Sequence, residues 1–190
     1  MNKGKSPFVI AIAAVSGGGK TTITKLLNQK LHNSKILLFD DYDFNGPDDI
    51  VDWIDKGGDP NEWDLTPLVN DLKALLAEPL DNIVIDFPFS YKHSQLSKYI
   101  DLSVFIDTPL DIALVRRVLR DFRDSSTNNI LFDMENYISR RRAYLNMLKM
   151  IKPNADLVVD GTLQVTEVAN MIFDNLKKEL PLKNIQVKKL

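Results

Sequence analysis

The segment that most constrains this chain is Ala14-Val15-Ser16-Gly17-Gly18-Gly19-Lys20-Thr21-Thr22. An apolar run at residues 8–15 precedes it and reads as a buried strand; residues 20–32 follow it and read as an amphipathic helix. Successive glycines let backbone N–H groups turn inward, and the start of a helix adds its positive dipole end. Such a segment is built to cradle phosphate oxygens. It fits the pattern G-x-x-x-x-G-K-[ST] with Ala14 in place of the first glycine. In that pattern Lys20 reaches the β- and γ-phosphates and the Thr21 hydroxyl ligates Mg²⁺. Ser16, Gly17, Gly18, Gly19, Lys20, Thr21 and Thr22 are therefore candidate nucleotide contacts, with ATP and Mg²⁺ as the expected cofactors. The bland alternative is a glycine-rich turn with an exposed lysine, and the strand before it and the helix after it argue against that.

The rest of the chain repeats the alternation. Short apolar runs at residues 36–39, 83–85, 104–106 and 157–159 lack polar alternation, as strands buried on both faces do. Helical patterns fill residues 65–77, 110–123, 134–151 and 165–180. The expectation is one α/β domain over residues 1–190, three layers deep, with a five-stranded parallel sheet. Its length of 190 residues fits one domain at about 150 residues each. Two stretches break the pattern. Residues 42–64 hold four aromatics and several Gly and Pro, and read as a substrate loop or lid. Residues 124–130 are polar and join two helices, within a lid expected over about 116–133. The Lys-rich tail from Lys183 to Leu190 reads as a frayed end.

Four of the later strands end in aspartate: Asp40, Asp86, Asp107 and Asp160. In a parallel sheet these carboxylates share the edge where open α/β folds bind ligands. Asp107 leads into Thr108-Pro109, a helix start with Thr108 as cap, and Asp160-Gly161 reads as a turn; both are taken as structural. Asp86 is placed to hold Mg²⁺ or its water shell together with Thr21, and Asp40 to accept a proton from an acceptor hydroxyl. Helix 110–123 carries Ile112, Val115, Leu119 and Phe122 on one stripe and Arg116, Arg120 and Arg123 on another, with Arg117 adjoining. The planar fork of arginine suits phosphate oxygens, so phosphate contact is expected from this group. Residues 134–151 put Met134, Tyr137, Ile138, Leu145 and Leu148 on an apolar stripe that also holds Arg141. Arg141 must therefore snorkel outward or face a polar cleft.

Composition closes off other classes. Without cysteine there is no disulfide scaffold, zinc-thiolate site or thiol catalysis. With 24 Lys+Arg against 26 Asp+Glu there is no electrostatic footprint for nucleic acid. The first apolar run falls far short of the ~20 residues that span a bilayer, so a cytoplasmic location without membrane contact is expected. A homodimer is left open.

These residues resemble the uridine kinase and nicotinamide riboside kinase group of P-loop kinases. The likeness runs in order through Ser16 to Thr22, Asp40-Asp41-Tyr42, Trp63-Asp64-Leu65, Ile83-Val84-Ile85-Asp86, Arg116-Arg117-Val118-Leu119-Arg120-Asp121 and Ala155-Asp156-Leu157-Val158-Val159. It implies a P-loop NTPase fold with a helical lid. It makes Asp40 the base and puts Arg116, Arg117 and Arg120 in the lid that closes over ATP, Arg120 acting on the transferring group. Gly161 and Thr162 fall near the adenine. Asp41, Tyr42, His93 and Arg141 are taken as substrate contacts. Departures are equally specific: uridine kinases have Glu at the position of Asp86 and Gly at that of Phe87. The arm that grips the nucleoside is missing, since only Glu78 to Asn82 separate helix from strand. Phe87, Phe89 and Tyr91 stand in its place and would share a face if extended, though burial is the stronger reading for the two Phe. The expected activity is ATP-dependent phosphorylation of a hydroxyl on a small molecule such as a nucleoside. The alternatives are a nucleotide-dependent ATPase or switch, and a degenerate kinase that binds ATP without transfer.

Overall fold

The computed structural model describes residues 6–179. Phe8–Ala13 (β1), Ser34–Leu38 (β2), Asn82–Asp86 (β3), Leu102–Asp107 (β4) and Leu157–Asp160 (β5) form one sheet in the order β2-β3-β1-β4-β5. All four pairings are parallel. The helices are Lys20–Lys30 (α1), Ile50–Asp55 (α2), Thr66–Leu76 (α3), Ser94–Ser97 (α4), Leu110–Asp121 (α5), Thr127–Met150 (α6) and Val165–Glu179 (α7). The tail expected to fray, Lys183 to Leu190, lies outside the described residues. Among those described, no helix is long and apolar enough to cross a membrane.

Each central strand feeds two cores because successive side chains point to opposite faces. Ile10, Ile12, Val84, Val104 and Ile106 pack with Ile23 and Leu27 of α1 and Val168, Ile172 and Leu176 of α7. Val9, Ala11, Ile83 and Ile85 pack with Leu68 and Leu72 of α3, Trp53 of α2 and Leu96 of α4. This is the expected three-layer arrangement. Chain order reverses at β1, whose sequence successors lie to one side through β3 and β2 and to the other through β4 and β5. The glycine loop therefore leaves the sheet at its topological switch point, where the crevice for a ligand opens.

Three local expectations are corrected. Residues 42–64 are not wholly irregular: the Asp49 carboxylate accepts from the amides of Val51 (2.7 Å) and Asp52 (2.9 Å) and so starts α2. Helix α6 begins within the presumed polar linker, because Ser126 caps it at the Asn129 amide. The apolar stripes of the two long helices do not face the core as a block. Val115 and Leu119 of α5 are 56% and 58% exposed, and Ile138 of α6 is 73% exposed. Instead α5 turns Ala113, with Arg116 and Arg120, toward the glycine loop.

Candidate active site

The loop after β1 takes its shape from close approach. At Gly17 (φ 80°), a Cβ would stand 2.1 Å from the Ala113 carbonyl oxygen, so only glycine lets α5 sit this near. Gly19 (φ 100°) is the left-handed residue from which α1 springs. Thr108, 1% exposed, donates its hydroxyl to the Gly18 carbonyl at 3.0 Å. It does not cap α5, whose N-cap is Pro109 without a side-chain bond. The next turn is equally tight, since a Cβ on Gly161 would lie 1.9 Å from that same hydroxyl. One buried threonine thus joins the glycine loop, the end of β4 and the end of β5.

A cleft of about 500 Å³ opens over this junction. Ser16 to Thr22, Phe39, Asp40 and Pro88 line one part of it, and Gly161, Leu163, Val165 and Val168 another. Arg116 and Arg120 come from α5, and Tyr144 and Met147 from α6. Behind Lys20 and Thr21 of this lining, Asp86, 1% exposed, accepts the Thr21 hydroxyl on Oδ2 at 2.5 Å. Its Oδ1 lies 4.0 Å from the Lys20 ammonium and has no hydrogen-bond partner. Burial pushes this carboxyl above the ordinary range, while Lys20 and the Thr21 hydroxyl pull it back toward ionisation. Asp40 sits on the 3-10 turn Phe39–Asp41 that ends β2, exposed at the cleft wall, and its charge adds to the upward push on Asp86.

The orphaned Oδ1 and the adjacent hydroxyl fit a small hard cation. Among the described residues no three acidic, His or Cys side chains cluster to hold one alone. Mg²⁺ in such a place binds through one or two protein oxygens, completing its shell with water and phosphate oxygens. Thr21 and Asp86 are the residues that would hold it.

Several expected residues stand elsewhere. Arg117 is outside the cleft lining: its fork is spent bidentately on Asp133, both bonds 2.7 Å, tying α5 to α6. Its role in the structure is to brace the hairpin of these two helices. Arg116 lines the cleft and donates to the Gly161 carbonyl at 2.9 Å, and Arg120 lines it while paired with its neighbour Asp121. Thr162 bonds back to Asp160 Oδ1 in a tight turn. Asp41 is exposed beside the cleft, and Tyr42 donates to Asp71 at 2.9 Å and stacks on Phe44. Arg141 is exposed on α6 and does not line the cleft. His93 is corrected most sharply. It is 1% exposed, stacked with Phe89, with Nε2 2.9 Å from the Trp63 carbonyl, so it is buried behind the aromatic wall and does not line the cleft. Phe87 and Phe89 are buried, and the chain turns at Ser90 (φ 50°), so the extended aromatic face does not form.

Thr108, Pro88, Tyr144 and Met147 were not legible as site residues. Thr108 carried a signal, a Thr-Pro pair after a strand-end Asp, but it also fits an ordinary helix start. Asp107 and Asp160 are structural as expected, Asp107 through Lys152 at 2.6 Å.

The sequence matches the family described as Phosphoribulokinase / Uridine kinase over residues 66–169, more than half of the chain. This chain belongs to the phosphoribulokinase / uridine kinase family. The uridine kinase of Ligilactobacillus salivarius (strain UCC118) is 26% identical over 210 residues, covering 93% of this chain and 98% of that protein. Among solved structures, a sugar kinase from Janibacter sp. HTCC2649 superposes with a TM-score of 0.59 at 16% identity, covering 90% and 95% of the two chains. Deoxyadenosine kinase from M. mycoides superposes with a TM-score of 0.54 at 18% identity, covering 90% of this chain and all of the other. These likenesses establish the fold as a three-layer P-loop NTPase. Family membership makes the protein a phosphotransferase of the P-loop kinase kind.

Proposed function

We propose that the protein transfers the γ-phosphoryl group of ATP to a hydroxyl of a small molecule. The observation that carries this reading is the single cleft in which the glycine loop, the Lys20–Asp86–Thr21 cluster and the exposed carboxylate of Asp40 meet. ATP would lie with its phosphates along Gly17 to Thr22 and its base toward Gly161, Leu163 and Val168. The acceptor oxygen attacks the γ-phosphorus in line as the bond to the β–γ bridging oxygen breaks. Asp40 takes the hydroxyl proton. Lys20 and the α1 N-terminus stabilise charge on the leaving phosphates, and Arg116 and Arg120 neutralise the transferring group when their present partners yield. Thr21 and Asp86 would hold Mg²⁺, which would supply positive charge to offset that of the phosphates. Residues 116–133 act as the lid and 42–64 as the acceptor-side loop of one domain. Most of the rate gain comes from positioning in a water-poor cleft.

The test is ADP release with ATP and Mg²⁺, with and without a panel of nucleosides, polyols and ring-bearing alcohols. Acceptor-stimulated release is expected. Acceptor-independent turnover would instead mark an ATPase, and binding without turnover a degenerate kinase.

A further inference from the structure

A second chamber of about 380 Å³ adjoins the cleft between the α2 turn and the C-terminal half of α6. Tyr144 and Met147 line both cavities, and the chain runs from Pro88 in the cleft directly to Phe89 in the chamber. The ring of Phe89 also meets that of Phe39, a cleft residue beside Asp40, at 5.9 Å. The chamber thus adjoins the part of the cleft wall formed by Phe39, Pro88, Tyr144 and Met147, next to Asp40.

Its walls are Trp53, Phe89, Tyr144, Met147, Met150 and Ile151. Gly57 (φ 116°) and Gly58 (φ 65°) carry the chain around its mouth. A Cβ on Gly58 would come within 2.9 Å of Ile54 and 3.1 Å of the Asn146 amide nitrogen, so the glycine turn is what lets α2 and α6 close on the space. Charges in the lining balance: one cation, Lys92, and one anion, Asp59. The Asp59 carboxylate is occupied by the backbone and side chain of Asn61, and the indole N–H of Trp53 by the Asp59 carbonyl. The polar capacity that remains is local, at the Lys92 ammonium, the Tyr144 hydroxyl, the second Asp59 oxygen and the Asn146 carboxamide, set among walls that are otherwise largely apolar.

Over the apolar walls such a surface disfavours a polyol, most of whose hydroxyls would lose water without gaining a partner. It rewards a flat apolar body, and its volume is that of a small-molecule site. We propose that this chamber seats the acceptor, which is an uncharged alcohol carrying a ring-bearing, largely apolar body rather than a bare polyol. The assignment rests on the phosphotransfer reading above.

The experiment pairs a binding readout with a turnover readout. Binding of 2-naphthylmethanol to the full chain is followed by saturation-transfer NMR, and ADP release is measured with 2-naphthylmethanol, 2-phenylethanol, glycerol and xylitol. Two variants fill the chamber from different walls: Met150→Trp at its half-open rim and Ala143→Leu along α6. Both are checked for an unchanged melting profile. The expected result is stimulation by the ring alcohols over the polyols, with a KM for ring alcohols at least ten-fold higher in either variant and a matching loss of NMR signal. Ring-alcohol binding that survives both variants, or polyols that stimulate as well as ring alcohols, overturns the chamber assignment and leaves phosphotransfer standing. Binding that the variants abolish, with no alcohol of either kind stimulating ADP release, overturns the phosphotransfer reading and the acceptor role with it.

Discussion

The cleft and the chamber beside it form two halves that are built by different means. The phosphate half is backbone: three glycines, the start of α1 and the Gly161 turn, drawn together by one threonine hydroxyl. The acceptor half is side chain: Trp53, Phe89, Tyr144 and Met147 come from α2, the loop after β3, and α6, elements distant in the sequence. A phosphate is the same in every nucleotide, so a short contiguous motif suffices to hold it. An acceptor differs from enzyme to enzyme, and its pocket is assembled from whatever long-range packing provides.

The sharpest division between the halves is at Asp40. Asp40→Asn keeps the shape of the wall but cannot take the hydroxyl proton, and turnover is expected to fall by about 10²–10⁴-fold. ATP affinity, measured by calorimetry, should stay within a few-fold of the parent. A matched loss of both would mean that the carboxylate serves the nucleotide instead. Lys20→Ala attacks the other half. Loss of one preorganised charge at the phosphates is expected to cost about 10²–10³ in turnover and to weaken ATP binding as well. Unchanged ATP affinity and turnover in that variant would remove the basis for the phosphate site.

Thr108→Val tests whether the backbone half hangs on a single side chain. The substitution is nearly isosteric but leaves the Gly18 carbonyl without its donor, at a cost of about 1–3 kcal/mol of stability. Denaturant unfolding should register that loss, and the KM for ATP should rise several-fold because the glycine loop loses its tether to β4. A stable variant with intact ATP kinetics would show the loop to be held by its glycines alone.

The same contrast explains what could be read in the chain. The phosphate loop, the five strands and the position of Asp86 were legible, because each is written within a few consecutive residues by periodicity or by glycine chemistry. Helix α2 was missed because its evidence is one Asx cap at Asp49 within a Gly- and Pro-rich stretch. The faces of α5 and α6 were misjudged for a different reason. Their apolar stripes, Val115 and Leu119 or Ile138, follow helical spacing well, but tertiary packing gave the inner face of α5 to Ala113 and its arginines. Arg117 matched a family segment, yet its partner Asp133 lies a helix away and cannot be chosen from spacing. Sequence likewise offered His93 as a polar group near the site, whereas its neighbours Phe87, Phe89 and Trp63 enclose it.

That enclosure yields the smallest expected effect, confined to the acceptor half. Burial pushes the His93 imidazole below its ordinary value of 6.5, and its bond to Trp63 with the charges of Asp59 and Asp64 opposes this only in part. Well above pH 6.5 the ring is neutral in both folded and unfolded chains and contributes no pH dependence. Below it the unfolded chain binds a proton that the folded chain resists, so stability declines as pH falls toward the lowered folded value, by at most about 1.4 kcal/mol per pH unit for one proton. His93→Gln retains a donor for the Trp63 carbonyl but cannot titrate. Melting temperatures at pH 7.5, 6.5 and 5.5 should therefore fall less steeply toward acid in the variant than in the parent. ATP affinity should hold across that range in both proteins, because His93 braces the aromatic wall and not the glycine loop. Equal slopes would place the acid sensitivity in another group. A parallel loss of ATP binding would join the two halves that the structure keeps apart.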